Sequence, residues 1–277
     1  MQNVSRALFV SLLAGCSGSS AAVVDSGTGS SDANPDFSES DGTIIIRTFL
    51  NEQLIQLSGQ FNDGPAVQFA VESERIGFCK LMTYTPTLCD PPCTNSDVCI
   101  ASECKAFPMR ENRGPLDWSW AGGSMTVQPD SSVSYHGTGT VNAYGEVAVV
   151  VEGTTLRVTT GESPMPTSDW GTAISSREQS DAVLQWVSPV DGARIKLRMV
   201  DCAGSHGGIS VSEIVCEAPD TGQLVIPASF LDTLDNGDWS RGECGSHQLI
   251  RYQSDVSADG TIRLESHEVT GFFYRPQ

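Results

Sequence analysis

Apolar and polar positions alternate over short runs along most of the chain, and turn-forming residues separate these runs. In the first half, the pattern predicts strands near 43–50, 67–71, 116–120, 124–127, 133–135, 138–141, 146–151 and 155–159. Nearly every gap between the later strands holds Gly, Asn, Pro or Asp. Short strands at this spacing, without a long stretch of helical period, are typical of a sandwich or barrel.

The second half repeats this pattern. Strands are predicted near 182–187, 193–200, 209–215, 224–226, 248–253, 261–265 and 269–274, with one or two helical turns at 228–234. Between the halves, the segment 161–180 holds two prolines and little periodicity. We therefore expect an all-β protein of two β-sandwich-like units, with a β domain at 43–162, a linker at 163–180 and a C-terminal β domain at 181–277.

The N-terminus has the pattern of an export signal. A short segment with one cation, Arg6, precedes an apolar run at 7–15, which is too short to cross a bilayer because a spanning helix needs about 20 residues. No other window approaches that length, so no transmembrane helix is expected. An ordinary signal or a chance apolar segment is the alternative interpretation.

The end of that run, Leu13-Ala14-Gly15-Cys16, resembles the bacterial lipobox. The resemblance implies that 1–15 are a lipoprotein signal peptide and that Cys16 is acylated and anchors the protein to a membrane. Ser17 resembles the following residue of Gram-negative lipoproteins that pass to the outer membrane. Residues 16–42 are rich in Ser, Gly and Asp, a composition that predicts a disordered tether.

The chain is strongly acidic. It has 34 Asp and Glu against 16 Lys and Arg, a net charge of −18. Such a surface repels phosphate backbones, so nucleic acid is not an expected partner. We interpret the charge as a source of solubility or an adaptation to salt, rather than as an acidic binding function.

The number of cysteines supports export independently of the N-terminal motif. Nine cysteines leave eight when Cys16 is set aside, an even number that suits disulfides, and disulfides form in the oxidising compartments outside the cytoplasm. The candidates for disulfides form two groups, Cys79, Cys89, Cys93, Cys99 and Cys104, and Cys202, Cys216 and Cys244. Both groups are odd in number. If every thiol is paired, at least one bridge joins the two halves of the chain.

The insert at 79–108 has few large apolar residues and many turn formers, so it needs crosslinks to be ordered. A zinc site is the alternative to disulfides, but the cysteine spacing lacks paired C-x2-C knuckles, so disulfides are favoured and no metal is expected. Spacing alone leaves the pairing open. The segment is similar to small epidermal-growth-factor-like turns, and that resemblance implies Cys89–Cys99 and Cys93–Cys104.

A broader resemblance rests on short motifs in both halves. These are Cys93 to Cys104 with Phe107-Pro108, Trp120-Ala121-Gly122-Gly123, Leu184-Gln185-Trp186-Val187, Ile214-Val215-Cys216, Asp220-Thr221-Gly222, Val225-Ile226-Pro227-Ala228 and Leu249-Ile250-Arg251. In this order they resemble exported lipoproteins of myxobacteria and related bacteria, a group without an assigned activity. The resemblance implies an envelope location and a C-terminal β domain, while Cys202 and Cys244 depart from the pattern.

No catalytic or cofactor site is predicted. The G-x-S-x-G motif is absent, and Ser205-His206 and Ser246-His247 place neighbouring side chains on opposite faces of an extended strand. The histidines 136, 206, 247 and 267 are scattered, although His247 and His267 could meet across a sheet. The acidic run 232–238 lacks the EF-hand order and is interpreted as a surface turn rather than a calcium site.

The tryptophans raise a carbohydrate site as an alternative. Trp118 and Trp120 share one face of a predicted strand, where exposed indoles stack on sugars but buried indoles fill a core. Core packing is favoured for them, as for the other tryptophans, at 170, 186 and 239. We therefore expect a lipid-anchored, non-catalytic envelope protein with an interaction, adhesion or structural role and an unknown envelope protein or polysaccharide as partner. An envelope hydrolase or a carbohydrate-binding module is the alternative.

Overall fold

The structure is a computed structural model that describes residues 36–37, 41–64, 67–68, 70–84, 89–94, 97–100, 103–175, 180–200, 212–235 and 247–272. The strands of the first half are β1 (Asp36–Phe37), β2 (Gly42–Phe49), β3 (Leu54–Phe61), β4 (Val67–Gln68), β5 (Ala70–Ile76), β6 (Cys79–Tyr84), β7 (Asp97–Ile100), β8 (Glu103–Ala106), β9 (Leu116–Trp120), β10 (Gly123–Val127), β11 (Ser134–Thr140), β12 (Glu146–Val151) and β13 (Thr154–Thr159). Those of the second half are β14 (Met165–Pro166), β15 (Ala182–Val187), β16 (Arg194–Val200), β17 (Ser212–Pro219), β18 (Gln223–Ile226), β19 (His247–Val256) and β20 (Ile262–Phe272). Two short helices, α1 (Trp170–Ser175) and α2 (Ala228–Asp235), and a 3-10 turn at Leu50–Glu52 complete the described elements.

One nine-stranded sheet organises the molecule. Its strand order is β11-β3-β2-β20-β19-β16-β17-β6-β5. Strands β2 and β20 are parallel, and the other neighbours in this sheet are antiparallel. A four-stranded sheet, β10-β9-β12-β13, and a three-stranded sheet, β14-β15-β18, are separate from it. The all-β prediction is confirmed.

Two apolar cores lie on the inner face of the nine-stranded sheet. The first combines β2, β3 and the start of β20 with the four-stranded sheet, around Phe61 and Trp118. The second combines β16, β17 and β6 with β15, β18 and the two helices, around Leu197 and Phe230. Each core is sandwich-like because alternate residues of every strand face it.

The two sandwich-like units share strands across the predicted boundary. Strands β5 and β6 belong to the first half of the sequence, but β6 pairs with β17, and Leu81 lies in the second core. Conversely, Ile262 and Leu264 of β20 lie in the first core. A two-residue period shows which face of a strand is buried, but it does not show which strand lies beside it.

The segment 163–180, predicted as a linker, contributes to the second core. It contains α1, whose Trp170 and Ile174 are buried, and Trp170 Nε1 donates to the carbonyl oxygen of Gln185 at 2.8 Å. The predicted helical turns at 228–234 correspond to α2, in which Phe230, Leu231 and Leu234 face the same core. Within the described residues, no helix is long and apolar enough to cross a membrane.

Candidate binding surface

The structure pairs six of the candidate cysteines. Cys79 and Cys216 lie opposite each other on β6 and β17 and form a disulfide between the two cysteine groups. The insert has the interleaved bridges Cys89–Cys99 and Cys93–Cys104, the pairing that the growth-factor-like resemblance implied. Sulfur atoms of three insert cysteines lie within 4.8 Å of one another, but each is in a disulfide and so is not a free thiolate for a metal. Cys16, Cys202 and Cys244 lie outside the described residues.

The three described histidines are on different parts of the nine-stranded sheet. His247 is buried on the inner face, where burial lowers its pKa to about 4, whereas His267 is on the other face. The two therefore do not meet across the sheet, since they pair with Phe272 and Tyr252 respectively. His267 Nε2 lies 2.6 Å from Glu265 Oε2, and His136 Nε2 lies 3.9 Å from Asp130 Oδ2. His206 lies outside the described residues.

The tryptophans predicted to fill a core do so where the structure describes them. Trp118 is 1 % exposed, and the centroid of its ring lies 4.4 Å from that of Trp120. Trp120 packs at the edge of the first core, and its Nε1 donates to the carbonyl oxygen of Thr140. Trp170 and Trp186 are buried in the second core. Trp239 and residues 236–238 of the acidic run lie outside the described part of the chain.

The side of the nine-stranded sheet that faces away from both cores is here called the outer face. On β16, Ile195, Leu197 and Met199 are buried, so Arg194 and Arg198 project from the outer face. The strand register places seven of the chain's 16 cations and four glutamates on this face. The cations are Arg47, Arg75, Lys80, Arg194, Lys196, Arg198 and Arg263, and the glutamates are Glu72, Glu213, Glu217 and Glu265. The outer face therefore has an excess of positive charge in a chain whose net charge is −18.

The densest cations form what we call the basic row, Arg194, Lys196 and Arg198 of β16. Alternate residues of a strand are about 7 Å apart, so the row extends over about 13 Å. The side chains of Arg194 and Arg198 are 46 % and 54 % exposed. Lys80 of β6, two strands from β16, lies in line with Arg198 across the sheet, because both residues are opposite Val215 of the intervening strand β17.

Glutamates hold several of these cations in place. Arg198 Nε and Nη2 donate to the two carboxylate oxygens of Glu213 at 2.7 and 3.1 Å, and this pair raises the pKa of Arg198. Arg75 forms the same two-point contact with Glu72, whose pKa is lowered mainly by that hydrogen bond. Lys196 forms no ion pair with any residue in the described part of the chain. Its ammonium group is the cation of the basic row without a bound carboxylate.

A tyrosine connects the basic row to the centre of the sheet. The hydroxyl of Tyr252 donates to Glu217 and accepts from Arg194 Nε at 3.1 Å. Burial, together with the hydrogen bond to Glu217, raises the pKa of Tyr252. Beside it, burial raises the pKa of Glu265, but the hydrogen bond from His267 and nearby cations lower it overall. Around Tyr252, the outer face therefore has hydrogen-bond donors and acceptors that these contacts hold in place.

A groove of about 370 Å³ lies on β2, β3 and β11 at the other end of the outer face. This polar groove is lined by Asp41, Thr43, Ile45, Ser58, Gln60, Asn62, Ser134 and His136, with Gly42 and Gly59. Gln60 Nε2 donates to Asn62 Oδ1 at 3.2 Å, and Asn62 Nδ2 donates to the carbonyl oxygen of Asp41 at 3.4 Å. The groove therefore presents mainly hydroxyl and amide groups, with one carboxylate and one imidazole, whereas the opposite end presents several cations.

Sequence reasoning missed the outer face as a site. A signal was present, because Arg194, Lys196 and Arg198 occupy every second position of a predicted strand in an acidic chain. The glutamates that pair with Arg194 and Arg198 come from β17, whose register with β16 is set only in the folded sheet.

Comparisons with known proteins give little beyond this geometry. No family model matches the chain, and no curated protein matches it. One similar structure is a calcium-stabilised adhesin that helps an Antarctic bacterium bind ice, with 8 % identity and a TM-score of 0.22. It covers 87 % of this chain, and this chain spans 50 % of it. A second, from work on host cell surface retention of a 1.5-MDa bacterial ice-binding adhesin, has 9 % identity, a TM-score of 0.21 and coverages of 81 % and 75 %. TM-scores this low do not indicate a shared fold.

Proposed function

We propose that this protein is a lipid-anchored, non-catalytic interaction module of the bacterial cell envelope, and that it binds its partner with the outer face of the nine-stranded sheet. The observation that carries the proposal is the cation-rich outer face of that sheet, on which the side chains of Arg194 and Arg198 are about half exposed. The lipobox-like Leu13-Ala14-Gly15-Cys16 and the Ser/Gly-rich segment after it support the anchor and the tether.

The sign of the charge separates a binding surface from a merely solvated one. A face that served solubility alone would share the acidic excess of the whole chain. The outer face instead has more cations than carboxylates, and bound glutamates fix several of those cations in position. A net positive face on a negatively charged protein favours a partner of complementary charge.

The dimensions of the face suit an extended partner. Nine strands at about 4.8 Å spacing give a width of about 38 Å. The cations and the polar groove are distributed along this width rather than gathered in one deep cleft. A flat surface of this kind fits a polymer or another protein surface better than a small enclosed molecule.

Site-specific photo-crosslinking in intact cells tests the proposal. A photoreactive residue replaces Gln56 or Lys196 on the outer face, and Ser119, exposed on the four-stranded sheet, provides the matched control. We expect partner adducts from the two outer-face positions and none from the control. Adducts from Ser119 alone, or equal adducts from all three positions, would show that the outer face is not the binding surface.

A further inference from the structure

We infer that the outer face binds an acidic polysaccharide, with the basic row of Arg194, Lys196 and Arg198 holding the anionic groups of the polymer. This inference rests on the proposed function, because it names the ligand class of the same surface. The ligand chemistry is a chain of sugars that carries carboxylate or sulfate groups.

The basic row supplies donors that its internal ion pairs do not use. Arg198 binds Glu213 through Nε and Nη2, and Arg194 uses Nε for the hydroxyl of Tyr252. An arginine has five N–H donors in a planar fork, so both guanidinium groups have donors that these bonds do not use. Lys196 lies between them with three ammonium donors. Anionic groups at a spacing of about 7 Å would each meet a cation.

The interleaved glutamates distinguish a polysaccharide from other polyanions. Glu213 and Glu217 lie beside the basic row, where they would repel the dense phosphates of a nucleic acid or an anionic membrane. A sugar chain presents hydroxyl groups between its anionic groups, and a hydroxyl donates to a carboxylate. The basic row of β16, with Glu213 and Glu217 beside it on β17, therefore matches a ligand that carries both kinds of group.

The polar groove adds neutral hydrogen-bonding groups to the cations of the basic row. The polar groove begins on β2, three strands from β16, and ends on β11, five strands from it, at distances of about 14 and 24 Å at 4.8 Å per strand. Its Thr43, Ser58 and Gln60 side chains offer neutral donors and acceptors to sugar hydroxyls. A saccharide chain that crosses the strands would contact the basic row with one part and the polar groove with another.

Binding measurements on the purified mature chain, with its lipid held in neutral detergent, test the inference. The probes are polygalacturonate, dextran sulfate, uncharged dextran, duplex DNA and vesicles that contain phosphatidylglycerol. We expect binding to one or both acidic polysaccharides that weakens with added salt. The carboxylated and the sulfated probe distinguish the two sources of negative charge.

Charge reversal locates the site. Lys196→Glu and Arg198→Glu should each lower the affinity for the acidic polysaccharide at least tenfold. Arg157→Glu is the matched control, because Arg157 is 57 % exposed and ion-paired with Glu146 on the four-stranded sheet. It should leave the affinity within about twofold. Thermal unfolding of each variant checks that it is folded.

Three outcomes would overturn the inference. These are an equal loss in the Arg157→Glu control, absence of binding to both acidic polysaccharides, and tighter binding to DNA or vesicles. If outer-face photo-crosslinks form while both polysaccharides fail to bind, the ligand class is wrong and the proposed binding surface stands. If the crosslinks also fail, the proposed function fails with it.

Discussion

Replacing Asp220 by Asn should strongly destabilise the protein, because this carboxylate neutralises a buried cation. The side chains of Asp220 and Arg251 are 0 % and 3 % exposed, and Arg251 Nε donates to Asp220 Oδ2 at 2.7 Å. Asp220 also accepts from Trp186 Nε1 and from the backbone N–H of Val190. The substitution keeps the size of the side chain but removes its charge and turns one acceptor into a donor.

The expected loss of unfolding free energy is about 3 kcal/mol. Removing one partner of a buried ion pair costs roughly 3–5 kcal/mol, because the remaining charge is uncompensated. The lower end applies here, since Arg251 keeps its bonds to the carbonyl oxygens of Glu162 and Ser188 and lies near Glu268. For a domain of this size, such a loss lowers Tm by about 6–12 °C.

Urea unfolding followed by tryptophan fluorescence measures this loss. Glu213→Gln is the control, since its partner Arg198 is 54 % exposed and an exposed pair contributes at most about 1 kcal/mol. The double variant Asp220→Leu/Arg251→Met should recover part of the loss, because it leaves no buried charge unpaired. If Asp220→Asn lowers the unfolding free energy no more than Glu213→Gln does, the buried Asp220–Arg251 pair does not stabilise the fold as proposed.

Four further predictions follow from burial and from the N-terminal motif. Burial raises the pKa of Glu268 to about 8, so the folded protein keeps a proton that the unfolded chain releases near pH 4.3, and stability from this group falls as pH rises between those values. Glu268→Gln should therefore have a higher Tm than the native protein at pH 9 and a similar Tm at pH 5. Burial lowers the pKa of His247 to about 4, so stability falls as pH drops from about 6.5 towards 4, and His247→Gln should flatten that fall in a pH series of urea unfolding curves. Mild reductant should open the two insert disulfides before Cys79–Cys216, whose residues are fully buried, and timed alkylation with mass spectrometry gives the order. Cys16→Ser should abolish fatty-acid labelling and release the protein from membranes; label retained in the variant would exclude this anchor.

Local patterns in the sequence were sufficient for the fold class and much of the strand content. The alternation of apolar and polar residues predicts strands at 182–187 and 193–200, and these bounds agree closely with β15 and β16. The odd size of each cysteine group predicts a bridge between them, and Cys79–Cys216 provides it. These inferences succeed because they depend on neighbours in sequence or on simple counting.

The sequence pattern predicts no strand at Leu54–Phe61, where the structure has β3. Ile55, Leu57 and Phe61 face the first core, but Gly59 occupies the third of the four inward positions and interrupts the apolar period. A Cβ atom on Gly59 would lie 3.4 Å from Ile44 and 3.6 Å from Tyr135, so those two side chains fill the space that a larger residue would need. The glycine is therefore explained by side chains of β2 and β11, and the sequence of β3 alone does not show them.

The same limit applies to the outer face. The sequence places Arg194, Lys196 and Arg198 on one side of a strand, but their value as a surface depends on Glu213 and Glu217 of β17. Residues 201–211 separate these strands in sequence, and nothing in the local pattern fixes their register. The candidate site was therefore predictable as a row of charges and not as an organised face.

Strand β20 explains why one sheet holds two separate cores. Its inward residues are apolar at the ends, Ile262 and Leu264 in the first core and Phe272 in the second, and polar between them. Ser266 and Thr270 donate to the carbonyl oxygens of Thr159 and Pro164, while Glu268 accepts from the N–H of Gly161. Residues 159–164 thus cross the middle of β20, and its polar side chains form hydrogen bonds with their backbone groups. Apolar side chains at these positions would leave those backbone groups unpaired. The polar middle of β20 lets the chain pass from the first core to the second while the outer face of the sheet continues without a break.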